Sequence, residues 1–259
     1  MQASPVDKAR KPVASSEGLK KHSGYSLHFE YKRAKDADSN LLIFLHGLGD
    51  TCASFFTLGQ QLQTTLPQTA ILSLQAPHRV PLLEEQAWMW WDSFDSLGEL
   101  IVHPDPRQAI ASLHALFTYL TTTPDQGGCG WPAANIHLFG YAQGGYAMLE
   151  ALVAWKGAPL GSAVAVCSQL LSLPTSSKRC STPLAFTTRW ERSFLASSEA
   201  QRQVTWAERA FAHVQHINLP GSGETMIHGA EWKEIIPFWS KYWRNRSSWE
   251  REGEVLAVS

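Results

Sequence analysis

The chain has 259 residues, 44% of them hydrophobic and 17% charged, and its 22 Lys and Arg against 23 Asp and Glu leave a formal net charge of −1. That is enough apolar material for one large core, and so even a balance supplies no field to draw in nucleic acid or an anionic membrane surface. No run approaches the length of about 18 apolar residues that a membrane span needs, and no apolar leader, myristoylation glycine or prenylation box is present.

Cys52, Cys129, Cys167 and Cys180 show neither a disulfide framework nor a C-x-x-C pair, which favours a reducing cytosol or nucleus. There is no H-E-x-x-H motif, and His213 and His216 have H-x-x-H spacing with no third ligand nearby. No metal and no cofactor is expected.

In chain order, residues 1–24 hold a modest basic excess beside Pro and Ser and are expected to form a solvated tail. A single domain is expected over 25–246, followed by a polar tail at 247–259. Within the domain, strand patterns fall at 27–32, 41–45, 70–74, 136–139, 163–166, 184–187 and 214–218. Helical patterns fall at 53–66, 106–122, 145–155, 198–213 and 231–246, with Pro237 expected to loosen the last of these. This alternation predicts an α/β fold, a doubly wound and mostly parallel sheet flanked by helices. Trp232, Trp239 and Trp243 share one face of the last helix and are assigned to the core.

Two stretches carry chemistry. Phe139-Gly-Tyr-Ala142-Gln-Gly-Gly145 follows a strand pattern and opens a helical one, like the G-x-S-x-G elbow of serine hydrolases with Ala142 in the place of the serine. The second, His46-Gly-Leu-Gly-Asp50-Thr51, ends a buried-strand pattern in a glycine-bearing loop. Such a loop can lend one N–H to an oxyanion hole, and the residue after the nucleophile lends the other. The two donors are placed at Leu48 and Gln143, and His46 is read as a structural brace for the loop.

With both motifs in view, the chain resembles the acyl-protein thioesterase, carboxylesterase and lysophospholipase family of α/β-hydrolases over roughly residues 26 to 245. Phe139 to Gly145 is similar to that family's F-[GS]-x-S-Q-G-G elbow, and Gln75-Ala-Pro77-His-Arg79 with Trp90-Trp91-Asp92 is similar to its AP-x-R … W-[FY]-D segment. The resemblance implies an α/β-hydrolase fold and a reaction class of ester or thioester hydrolysis. It also implies an acyl cleft beside Trp88, Trp91 and Asp92. The ligand would be a small ester, thioester or acyl compound, or an acylated protein; the oligomeric state is left open.

The same resemblance marks His228, in Glu224-Thr-Met-Ile-His228, as the base position. The family's H-G-x-x-D acid turn is absent. Arg192 stands near the acid's place, and Glu191 is the candidate acid, its ordinary reading being a solvated loop glutamate. Ala142 is either an introduced replacement or a natural loss of the nucleophile. Because the acid position departs as well, the sequence leans to natural loss, and two functions stay open: a hydrolase fold without catalysis, or a binding or scaffold protein using the old cleft. Cys52, Tyr141 and Ser168 lie near the presumed pocket, but none sits at an elbow tip.

Overall fold

A computed structural model describes residues 10–81, 83, 85–95 and 97–245. Its centre is a seven-stranded sheet in the order β1-β3-β2-β6-β7-β8-β9. The strands are β1 (Phe29–Lys32), β2 (Asn40–Leu45), β3 (Thr69–Leu74), β6 (Ile136–Tyr141), β7 (Ser162–Val166), β8 (Leu184–Thr188) and β9 (Val214–Asn218). Only β1 runs antiparallel, at one edge. β4 (His78–Arg79) and β5 (Trp88–Met89) pair separately. Every residue of β2, β3, β7 and β8 is buried, as strands covered on both faces must be.

The two-residue period of a strand divides the core. Leu41, Ile43 and Leu45 point to one face, under α1 (Ser16–Ser23), α3 (Arg107–Thr121) and α4 (Gln143–Ala154). Leu42 and Phe44 point to the other, under α2 (Cys52–Leu62) and α7 (Trp232–Ser240). α5 (Arg192–Leu195) and α6 (Ser198–Ala210) complete the fold. It is the doubly wound, mostly parallel α/β architecture that the alternation predicts, and the α/β-hydrolase fold that the resemblance implies.

Three differences have physical causes. The tail expected through residue 24 does not describe residues 10–24: Ser15 caps α1 by accepting from the Gly18 N–H, and Leu19 is fully buried. Asp38 explains the anchoring, since its carboxylate takes the Lys11 N–H and both Arg10 and Arg33, while Lys11 Nζ reaches Gly130 O. Second, α6 stops at Ala210 because Phe211 turns extended to enter the core. Third, the stretch from 231 is shorter than expected: α7 ends at Ser240, and Asn40 brackets the Arg244 backbone through two hydrogen bonds. Trp243 lies past that end yet stacks on Trp239 at 4.8 Å, so these two are core as assigned, while Trp232 is partly buried against them. The tails expected at 1–9 and 247–259 lie outside the described residues.

Candidate active site

β6 ends at Tyr141 and α4 begins at Gln143, so Ala142 alone makes the turn, with φ 44° and ψ −124°. A side chain at positive φ costs about 1–3 kcal/mol and persists only where its surroundings hold it. Here they do. The Ala142 N–H donates to Val166 O, and its carbonyl accepts from Tyr146 N–H and Ser168 Oγ. Glycine is required on either side: a Cβ on Gly140 would lie 2.6 Å from Gly145 Cα, and one on Gly144 only 2.4 Å from the Leu45 and His46 carbonyl oxygens.

The His46–Thr51 loop lies against this turn. A Cβ on Gly47 would sit 3.4 Å from the Ala142 methyl. His46 is fully buried; its Nδ1 donates to Gly47 O at 2.7 Å and its Nε2 accepts from Ala76 N–H at 3.0 Å. Burial lowers its pKa, so the imidazole is neutral at physiological pH and acts as a brace. The Gln143 N–H belongs to the first turn of α4 and has no intrahelical acceptor. Its side chain is committed elsewhere: Oε1 accepts from Trp90 N–H at 2.8 Å and Nε2 donates to Ser93 Oγ at 2.6 Å. Leu48 is 41% exposed at the mouth of the loop, and the next residue, Gly49, donates to Trp88 O.

The candidate acid and base are not joined. Glu191 lies just before α5 and forms no side-chain hydrogen bond or ion pair among the described residues; it lines a cavity of about 370 Å³ with Ser168, Thr188 and Glu224. His228 is three-quarters exposed, and its Nδ1 donates to Met226 O at 3.0 Å. The carboxylate nearest that ring is Glu231, 3.4 Å from Nδ1, and it also takes the His228 N–H. Glu231 was missed by sequence reasoning, although a residue three positions after a helix cap is the usual place for a reciprocal capping carboxylate. Arg189 grips both of its oxygens, and those hydrogen bonds above all hold its carboxyl down to about 2.

The tryptophan segment divides between the core and the surface. β5 is only two residues long and the chain bends at Trp90. Trp90 and Trp91 are buried in the core, with Trp90 Nε1 donating to His46 O at 2.8 Å. Trp88 lines a different cavity, of about 510 Å³, with Cys52 and Glu30. Asp92 is exposed and faces His78. Trp91 and Asp92 therefore do not wall the 370 Å³ cavity, and neither does Trp88.

The remaining nucleophile candidates are quiet. Burial, more than any neighbour, pushes the Cys52 thiol up to about 11, and a thiol, unlike a thiolate, is a poor nucleophile. The Ser168 hydroxyl is shared between the Val166 and Ala142 carbonyls. Tyr141 donates to Glu224 O.

Comparison with known proteins agrees with the geometry. The family model described as Phospholipase/Carboxylesterase matches residues 28–189. An uncharacterised hydrolase of Mycosarcoma maydis is 43% identical over 261 aligned residues, which cover 100% of this chain and 96% of the relative. Among solved structures, the Bacillus cereus carboxylesterase has a TM-score of 0.61 at 19% identity, with 88% of this chain and 100% of that one covered. Zea mays acyl-protein thioesterase 2 has a TM-score of 0.59 at 19% identity, covering 83% and 98%. At such identities these structures speak to the fold alone.

Proposed function

The chain belongs to the phospholipase/carboxylesterase family, and on that premise we propose that it is a hydrolase-fold protein that forms no acyl-enzyme and uses its cleft for binding. The observation that carries the reading is Ala142 at the tip of the elbow, in a positive-φ conformation that presents a methyl group where the chemistry of this fold needs a hydroxyl. In an active relative a serine there would attack the acyl carbonyl, a histidine matching His228 would take its proton, and the N–H groups matching Leu48 and Gln143 would hold the oxyanion. Removing a triad serine costs about a million-fold in turnover. The acid side supports the same reading, because Glu191 makes no bond to His228 and the nearby Glu231 is paired through both oxygens with Arg189.

The proposed ligand is a small ester, thioester or acyl compound, or an acylated protein, met in the cytoplasm or nucleus. No described helix is long and apolar enough to cross a membrane. A fluorophosphonate serine-hydrolase probe tests the proposal on the chain as it stands. No covalent labelling is expected, and stoichiometric labelling mapped to any serine would overturn it.

A further inference from the structure

The 370 Å³ cavity at the ends of β7 and β8 falls within the size range of small-molecule sites, about 300–1,000 Å³. Three aromatic rings line it: Tyr146, Trp190 and Phe194. Trp190 is fixed in place, packed edge-on against Phe186 and Phe194, with its backbone N–H donating to Asn218 Oδ1 at 2.8 Å.

The charges in this wall are one-sided. Arg189 is the single cationic residue among the described residues that line it. A guanidinium has five N–H donors, and all five are used: Nε on Thr225 O, Nη1 on Pro220 O and Glu231 Oε1, and Nη2 on Met226 O and Glu231 Oε2. None is left for a ligand carboxylate or phosphate. Glu191 and Glu224 line the same space, and neither forms an ion pair among the described residues. Burial keeps the Tyr146 phenol and Cys167 thiol protonated; the Glu224 charge pushes both the same way, and at Cys167 the Arg189 charge opposes it.

We propose that this cavity binds an organic cation, an ammonium group carried on an apolar or aromatic body, with Glu191 and Glu224 facing the charge and Trp190 and Phe194 facing the body. A cation over an aromatic face gains from the ring quadrupole as well as from the carboxylates. The inference rests on the reading of the cleft as a binding site, and it adds a charge preference that an acyl chain alone would not need.

The test is calorimetric titration of the full chain with three probes of one shape: phenethyltrimethylammonium, 3-phenylpropionate and 2-phenylethanol. The cation is expected to bind about tenfold more tightly than the alcohol, and added salt should weaken it, as for any partly exposed charge contact. Glu191→Gln and Glu224→Gln should each weaken the cation about threefold and leave the alcohol unchanged. Both side chains are exposed and make no side-chain hydrogen bond among the described residues, so the variants should fold, and thermal melting checks this. Equal or tighter binding of the carboxylate, no binding of the cation, or indifference of the cation to both substitutions would overturn the proposal. Alcohol binding as tight as the cation would remove the charge preference while leaving the binding reading intact. Fluorophosphonate labelling of the same preparation would remove that reading by itself.

Discussion

Arg189 and Glu231 meet fork to fork, Nη1 to Oε1 at 2.7 Å and Nη2 to Oε2 at 2.6 Å, across 42 residues of sequence. The guanidinium is nearly buried, and its other donors hold the carbonyls of Pro220, Thr225 and Met226. One side chain thus fixes the whole loop that carries His228.

The first prediction is that Glu231→Gln destabilises the protein by about 3 kcal/mol near neutral pH, because it leaves a buried guanidinium without its charge partner. The Glu231 carboxyl is held at about 2, below its ordinary value of 4.5. A depressed folded-state value contributes stability that is complete above the ordinary value and is lost as pH falls through the folded one. Urea denaturation of wild type and variant should therefore show a gap that is constant from neutrality down to about pH 5 and narrows toward about pH 2. A gap that does not change with pH would contradict the ion pair.

Ala142→Ser should stay near background in p-nitrophenyl ester hydrolysis. The introduced hydroxyl needs a base held by a carboxylate, and Glu231, the carboxylate beside the His228 ring among the described residues, is already paired through both oxygens with Arg189. Turnover above about 1 per second, within the ordinary enzyme range, would show that His228 can still be oriented and that the protein is an esterase lacking one hydroxyl.

Ala142→Gly should raise the unfolding free energy by about 1 kcal/mol. It relieves the positive-φ cost at the elbow, partly offset by the greater freedom glycine has in the unfolded chain. Chemical denaturation measures the difference directly, and a clear loss of stability would mean that the alanine methyl contributes packing that outweighs its backbone strain.

Trp91→Ala should cost about 3–5 kcal/mol, the usual penalty for emptying a buried aromatic site, because Trp91 is 6% exposed within the main core. At ligand concentrations that keep the variant folded, its affinity for compounds held in the Trp190 cavity should match wild type. A selective loss of affinity without loss of melting temperature would restore Trp91 to a cleft wall.

Strands were readable from the residues because fully buried β-segments are continuous apolar runs, and Leu41 to Leu45 is one. The elbow was readable because glycine stands at each position where a Cβ would strike backbone, at Gly140 and Gly144. Glu231 was not readable: its importance comes from Arg189, 42 residues away, and no local pattern records that pairing. Which way the Trp88 to Asp92 side chains point was not readable, because the chain bends at Trp90 and sends Trp91 into the core and Asp92 to the surface. Residues 10–24 look polar because just two of their side chains, Ala14 and Leu19, enter the core, while much of their attachment is polar, through Asp38, Gly130, Ala34 and Tyr119.

That attachment sets an order of assembly. Lys11 reaches a carbonyl 119 residues downstream, Ser15 lies against Tyr119 of α3, and α1 packs on α3. On the ribosome, where synthesis runs from the N-terminus, Lys11 cannot find its seat until Gly130 has emerged. Contacts of such long sequence separation form late and slowly. Residues 10–24 thus wait for partners made more than 100 residues later, and until they dock Leu19 and the surface it covers on α3 are expected to stay open to solvent and to chaperones.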